Sequence, residues 1–169
     1  MRIGFIHPSS PLSEGTGATH SATQIVTGLA QAGHDVDVYC ATEPEPDTSL
    51  PDITLHYLDG NSNHPHTSTK LNREVRARSD DFRDYDILHS YLTPLIPSVA
   101  DLGKELDVGT VVTLIAYGGV CAKNDLLYLN EGQCKEKSTT KCLNCITRTG
   151  FSNNEHGYLY QTVSQLFSL

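Results

Sequence analysis

The chain has 169 residues, a formal net charge of −8 and a hydrophobic share of 38%. This length is typical of one domain with its own core, and the acidic balance argues against a nucleic-acid-binding protein, which needs a basic surface. The chain contains no apolar run of the about 18 residues that a membrane-spanning helix needs, and its N-terminus lacks the pattern of a secretory signal. We therefore expect a cytoplasmic protein.

The opening of the chain predicts one βαβ unit. Residues 2–7 have the apolar pattern of a short strand, and apolar residues from about Thr19 to Ala32 recur at the spacing of one helix face. Gly33 follows at the place of a left-handed helix cap. Alternating apolar residues at 36–40 then predict a second strand.

The first turn of this unit contains the glycine loop Gly15-Thr16-Gly17. Backbone N–H groups at a helix N-terminus bind phosphates, and glycines let a ligand approach the backbone closely. The loop matches neither the P-loop pattern GxxxxGK[ST] nor GxGxxG, so a P-loop NTPase is excluded. A phosphate-binding loop and an ordinary flexible βα loop remain as alternative hypotheses.

Strands and helices continue to alternate along the chain. A short strand is expected at 53–58, a weak helix at 70–83, a central strand at YDILHSYL, and a helix from about 94 to 107. The segment Thr110–Ile115 is apolar and β-branched, which predicts a strand buried on both faces. This order predicts an α/β fold with a Rossmann-like, doubly wound parallel sheet.

A loop-like stretch at 116–148 carries four of the five cysteines, in the pattern C-x12-C-x7-C-x2-C. They are Cys121, Cys134, Cys142 and Cys145. Four thiolates can close a tetrahedral shell around Zn²⁺, so a structural zinc site that fixes the loop is one hypothesis. Free or redox-active thiols are the main alternative, whereas disulfides are disfavoured in a reducing cytosol and an iron–sulfur cluster is less expected.

Two histidines lie where a cleft is expected. His20 falls in the first turn of the predicted helix, and His89 falls at the end of YDILHSYL. A buried histidine in a strand can equally be a core residue whose hydrogen bonds are satisfied within the protein. At the end of the chain, Tyr158–Leu169 predicts the start of an amphipathic helix whose apolar face could support oligomerisation.

Three segments carry a resemblance to a known family. EGTGATHSATQIVTGLAQAGHDVDVY has a glycine loop before a helix that ends in L-x-x-x-G-H-x-V-x-V, and YDILHSY resembles a strand pattern D-[IV]-[IV]-H-x-H. VVTLIAYGGVCAKNDLLYLNEGQCKEKSTTKCLNCI matches the cysteine pattern of a subset of the same family. The residues in register there are Cys121, Leu126, Leu127, Gly132, Cys134, Lys141, Cys142 and Cys145. The chain thus resembles the N-terminal domain of a family 4 glycosyltransferase, which has the two-Rossmann-domain GT-B architecture.

This resemblance implies transfer of a sugar from a nucleotide-sugar donor to an unidentified acceptor. It places Gly15, Thr16 and Gly17 at the donor phosphates. It makes residues 1–169 the N-terminal domain, with a cysteine-rich insertion at 116–148. The acceptor cleft it implies would be lined by His20, His89, Tyr91 and Tyr117.

The chain also departs from the family. Ile115-Ala116 stands where the related pattern has His-Asp, and the C-terminal donor-binding domain is absent from the sequence, which ends at Leu169. We therefore expect no transfer by this chain alone, a separate donor-binding chain as partner, and a sugar or lipid-linked acceptor. Peripheral membrane association remains open.

Two rival hypotheses are kept. The first is a non-enzymatic Rossmann-like binding or scaffold module with a structural metal site made of four cysteines. The second, less supported, is a nucleotide- or sugar-phosphate-binding enzyme of another class.

Overall fold

The computed structural model describes residues 1–11, 17–41, 52–58, 67–91, 93–115, 117, 120–121, 123 and 125–152. The chain divides into two compact units, Met1–Thr113 and Leu114–Leu169. We call them the sheet unit and the cysteine unit. The predicted final helix, Tyr158–Leu169, lies outside the described residues.

A parallel sheet of five strands forms the centre of the sheet unit, in the order β3-β2-β1-β4-β5. The strands are β1 (Arg2–His7), β2 (Asp35–Cys40), β3 (Ile53–Tyr57), β4 (Ile87–Tyr91) and β5 (Gly109–Thr113). This strand order is that of a Rossmann half-fold. The predicted Rossmann-like α/β class is therefore confirmed.

Helices cover both faces of this sheet. They are α1 (Gly17–Gln31), α2 (Thr67–Ala77) and α3 (Ile96–Leu106), with short 3-10 helices at Ser79–Phe82 and Thr93–Leu95. Helix α1 buries Ala22 and Val26 in a core with Phe5. Helices α2 and α3 bury Val75 and Val99 in a second core on the other face. Full burial of one large apolar side chain stabilises a fold by about 1.5–3 kcal/mol.

A buried carboxylate joins three strands of the sheet. Asp37 on β2 is 4% exposed and accepts hydrogen bonds from the hydroxyl of Tyr85 at 2.6 Å, from Nε2 of His56 at 2.8 Å and from the guanidinium of Arg2 at 3.2 Å. Burial alone would raise the pKa of Asp37. The hydrogen bonds from Tyr85, His56 and Arg2 outweigh it, and the pKa is lowered.

One expectation about the sheet is wrong. Strand β5 was expected to be buried on both faces, yet Val111 and Val112 are 43% and 40% exposed. The reason is that β5 pairs with β4 on one side only and forms an edge of the sheet in the described part of the chain. Apolar composition predicted a strand here correctly but could not tell a central strand from an edge strand.

The cysteine unit is not merely loop, which corrects a second expectation. Strands β6 (Leu127–Tyr128) and β7 (Gly132–Gln133) form an antiparallel hairpin, and helix α4 spans Thr139–Ser152. The hydroxyl of Ser138 accepts from the backbone N–H of Lys141 at 3.2 Å, as an N-cap side chain does. Along α4, Cys142, Cys145, Ile146 and Thr149 follow the spacing of one helix face.

In the ranges the structure covers, no helix has the length and apolar character to cross a membrane.

Candidate functional site

The strand order locates the ligand edge of the sheet. From β1 the chain continues outward through β2 and β3, and it then returns to place β4 on the other side of β1. Open α/β sheets bind ligands outside the carboxyl ends of their strands at such a reversal of strand order. Strand β1 ends at His7 and strand β4 ends at Tyr91, so these two residues occupy that edge.

Four rings share one face of the sheet next to this edge. Ring centroids are 5.5 Å apart for His7 and Tyr91, 4.9 Å for Phe5 and His89, and 6.4 Å for His89 and Tyr91. His7, His89 and Tyr91 are 1%, 7% and 0% exposed. We call Phe5, His7, His89 and Tyr91 the switch-point cluster. It brings three polar ring groups together, each of them buried among the described residues.

The hydrogen bonds of His7 define its tautomer. Its Nδ1 lies 2.5 Å from the backbone carbonyl of Ser9, while the Ser9 N–H lies farther away, at 3.2 Å. A carbonyl only accepts, so the closer contact assigns the ring proton to Nδ1. Burial lowers the pKa of His7, and the Ser9 carbonyl opposes this only in part. The ring is therefore neutral near pH 7, with a lone pair on Nε2.

Two buried polar atoms of the cluster have no partner among the described residues: His7 Nε2 and the Tyr91 hydroxyl. Leaving such a group unsatisfied costs about 1–3 kcal/mol. Most buried polar groups in folded proteins are paired, so two unpaired ones on rings whose centroids lie 5.5 Å apart need an explanation. A ligand that bonds to both atoms would supply it.

His89 differs from His7 in having a partner at Nε2. Its Nε2 lies 2.8 Å from the hydroxyl of Thr113 on β5, and burial lowers its pKa. The imidazole of His89 thus holds its neighbours in place, whereas that of His7 presents a free lone pair. Sequence reasoning did not select His7. The sequence signal that could have identified His7 is its position at the carboxyl end of a predicted strand, which is also why His89 was selected.

The other predicted site residues are placed as follows. Gly17 begins α1, while Gly15 and Thr16 lie outside the described residues. His20 is exposed on α1 and is not part of the buried cluster. Tyr117 is 52% exposed and belongs to the cysteine unit. Of the four predicted acceptor residues, the structure brings His89 and Tyr91 together.

The four clustered cysteines line a single cavity in the cysteine unit, together with Lys123 and Lys141. Its volume is about 20 Å³, which accommodates one water-sized occupant. We call it the thiol cavity. None of the five cysteines, all of which the structure describes, is in a disulfide. In the described ranges, no three His, Cys, Asp or Glu side chains are arranged as metal ligands.

Comparisons with known proteins bear on the fold. No protein-family model matches the chain, and no curated protein matches it. Among solved structures, a sucrose-phosphate synthase from Thermosynechococcus elongatus is similar, with a TM-score of 0.58 and 17% identity over 85% of this chain. The chain therefore shares its Rossmann-like fold with part of this synthase. At this identity the likeness concerns the fold alone.

The match covers only part of the synthase. The chain spans 38% of the length of the synthase. The C-terminal domain of a hydrogenase from Pyrococcus furiosus also matches, with a TM-score of 0.44 and 17% identity over 67% of this chain and 90% of that domain. That score is too low for any functional argument.

Proposed function

We propose that the chain is the acceptor-side domain of a family 4-like glycosyltransferase, and that the switch-point cluster holds a hydroxyl group of the acceptor. The observation that carries this proposal is the pair of unpartnered buried atoms, His7 Nε2 and the Tyr91 hydroxyl, at the ligand edge of the sheet. The fold that the chain shares with part of a sucrose-phosphate synthase supports the class of reaction.

A sugar hydroxyl has the chemistry that this pair requires. The lone pair on neutral His7 Nε2 accepts the hydrogen of a ligand hydroxyl, and the Tyr91 hydroxyl donates to the ligand oxygen. One group thereby satisfies two buried atoms that each cost about 1–3 kcal/mol when unpaired. In sugar transfer the acceptor oxygen bonds to the donor's anomeric carbon, the bond from that carbon to the nucleotide diphosphate breaks, and the proton of the acceptor hydroxyl passes to the departing diphosphate. His7 is placed to orient that hydroxyl before the transfer.

The donor side of the proposal rests on the start of α1. Backbone N–H groups at a helix N-terminus attract phosphates, and Gly17 begins this helix directly after the glycine loop. We propose that Gly15, Thr16 and Gly17 contact the donor phosphates and that a further domain or a separate donor-binding chain supplies the remaining contacts. The acceptor is then a sugar or a lipid-linked sugar, and the reaction is cytoplasmic.

A second candidate function is sugar binding without transfer. It is favoured by Ile115, an exposed apolar residue where the resembling pattern has a polar one. The switch-point cluster would then recognise a sugar in a binding or scaffold module. The two functions share the same hydroxyl contacts and differ in whether a donor is consumed.

The test is saturation-transfer difference NMR with glucose, mannose, N-acetylglucosamine and sucrose as probes. We expect the wild-type chain to bind at least one of them, and Tyr91→Phe to bind it about tenfold more weakly, a loss of about 1.4 kcal/mol. The matched control is Tyr57→Phe, which removes an exposed hydroxyl outside the cluster. Equal binding by Tyr91→Phe and wild type would contradict the proposal.

Native mass spectrometry of the chain purified from its own host separates transfer from binding alone. A second chain of domain size that co-purifies, and with which the complex consumes a nucleotide sugar, supports the transferase. A lone chain that binds sugars and consumes no donor supports the binding module.

A further inference from the structure

The thiol cavity unites residues that are far apart along the chain. Cys121 precedes the hairpin, Cys134 directly follows β7, and Cys142 and Cys145 lie one helical turn apart on α4. All four line the same small space. Four soft sulfur ligands are the donor set that zinc prefers in closed, structural sites. As placed, no three of these four described side chains are arranged around a common ion position, so their sulfurs have to turn inward to bind one.

Positive charge surrounds this space. The side chain of Lys123 is only 5% exposed, and its ammonium lies 3.1 Å from a carboxylate oxygen of Asp125 and 3.3 Å from the carbonyl of Leu127. The ammonium of Lys141 lies 5.0 Å from the ring centroid of Tyr128. A nearly buried ammonium is costly unless negative charge is nearby. Asp125 balances only one of the two lysines.

The net negative charge of a four-thiolate zinc site would match the positive charge of the two lysines. Four thiolates exceed the charge of one divalent cation by two negative charges. Lys123 and Lys141, which both line the cavity, would balance them. Lys123 already pairs with Asp125, so the thiolates would add most at Lys141, and this charge match favours an occupied thiolate site over four neutral thiols.

Two features of the backbone around the cavity are also consistent with a bound ion. The N–H of Leu129 donates to Sγ of Cys145 at 3.2 Å, a contact that stabilises a metal-bound sulfur. Leu126, Leu129 and Asn130 all have positive φ angles, of 58°, 53° and 65°. This conformation costs non-glycine residues about 1–2 kcal/mol each. At Leu129 and Asn130 the hairpin turn, which the Glu131 N–H closes on the Tyr128 carbonyl, itself requires positive φ angles. At Leu126 such strain persists where surrounding contacts fix the backbone, and an ion bound to the four sulfurs would do so.

We propose that the thiol cavity binds one zinc ion through the thiolates of Cys121, Cys134, Cys142 and Cys145, with Lys123 and Lys141 balancing the charge of the site. As placed, the thiol of Cys134 donates to the carbonyl of Glu136 at 3.3 Å and that of Cys145 to the carbonyl of Leu127 at 3.6 Å. A thiolate has no proton to donate. Deprotonation on metal binding therefore removes both contacts and frees the sulfurs to turn into the cavity. The site is structural and does not depend on the proposed sugar chemistry.

The first arm of the test measures metal on the whole chain, purified under reducing conditions. Native mass spectrometry is expected to show one zinc per chain. Cobalt(II) added to the zinc-free chain is expected to give the visible d–d bands and sulfur-to-cobalt charge-transfer bands of a tetrahedral thiolate site. A chain without metal whose four thiols are all alkylated, or one that has lost two hydrogens per disulfide, would overturn the proposal.

The second arm uses variants with matched controls. Cys142→Ser is expected to lose the zinc, whereas Cys40→Ala, which removes the fifth cysteine from the sheet unit, is expected to keep it. Lys123→Gln is expected to weaken zinc binding by about tenfold or more, while the exposed Lys135→Gln leaves it unchanged. Equal affinity of Lys123→Gln and Lys135→Gln would overturn the charge argument. If a cysteine variant fails to fold, the zinc content of the wild-type chain still decides the proposal.

Discussion

The sheet unit and the cysteine unit are stabilised by different means. The sheet unit has two apolar cores, one on each face of a five-stranded sheet. In the described part of the cysteine unit, the buried residues are Cys145, Ile146 and Thr149. Small units with few buried apolar side chains are commonly stabilised by a disulfide or a metal ion, which is why we propose zinc for the cysteine unit. The amino-acid composition of each unit thus predicts how it is stabilised: apolar residues form cores in the sheet unit, whereas clustered cysteines suit a metal site in the cysteine unit.

The largest effect is expected from removing metal. If zinc holds the cysteine unit, a chelator under reducing conditions abolishes the hydrogen-exchange protection of α4 and of the β6–β7 hairpin. Protection of β1, β2 and β4 stays as it was, because the apolar cores of the sheet unit hold without metal. Hydrogen-exchange mass spectrometry measures both units at once. Protection that is lost equally in both units, or in neither, would break the comparison.

The next effect concerns the apolar core of the sheet unit. Phe82 is fully buried between the sheet and its helices, so Phe82→Ala is expected to cost about 3–5 kcal/mol of unfolding free energy. Leu143→Ala is the control, since Leu143 on α4 is 46% exposed and its loss costs about 0.5 kcal/mol or less. Urea unfolding of both variants measures the difference. Similar losses for the two would show that burial does not distinguish the units.

The Asp37 network predicts a loss of stability in acid. Because its pKa is lowered in the folded state, Asp37 contributes stability above its unfolded pKa of about 3.9, and this contribution is lost as the pH falls through the folded value. Asp37→Asn is expected to lower stability by about 1–3 kcal/mol at pH 7. Thermal unfolding from pH 7 to pH 3 is expected to show the two proteins converging. A gap that stays constant with pH would contradict the assigned charge.

The smallest effect separates two buried tyrosines. The Tyr91 hydroxyl has no partner among the described residues, so Tyr91→Phe is expected to leave stability unchanged or to raise it by about 1 kcal/mol. Tyr85→Phe removes a hydroxyl bonded to Asp37 and Tyr39, and is expected to cost about 1–3 kcal/mol. Chemical unfolding without sugar compares them. A destabilised Tyr91→Phe would mean that this hydroxyl serves the fold and not a ligand.

Much of the sheet unit follows from its periodicity. Helix α1 was expected at about 19–32 and spans Gly17–Gln31, and β4 lies within the predicted YDILHSYL strand. The weak helix expected at 70–83 ends at Ala77 and is followed by a 3-10 helix, Ser79–Phe82. Local patterns find elements well because they report side-chain burial on one face.

What the sequence missed has a physical reason in each case. Helix α4 buries Cys145, Ile146 and Thr149, of which only Ile146 is a large apolar residue, so a search for apolar residues did not select it, although Ser138 stands at its N-cap. His7 became a candidate only when the strand order placed β1 beside β4. The exposure of Val111 depends on which strand lies at the edge. Strand order is a long-range property that no local window contains.

The most direct test of the proposed function is the protonation state of the His7 ring. Long-range ¹H–¹⁵N NMR of the histidine imidazoles is predicted to show a neutral His7 with its proton on Nδ1, and an Nε2 signal that shifts when a bound sugar is added. His7→Gln assigns the signal. A His7 that carries its proton on Nε2, or an Nε2 signal that does not respond to a sugar the chain binds, would contradict the account.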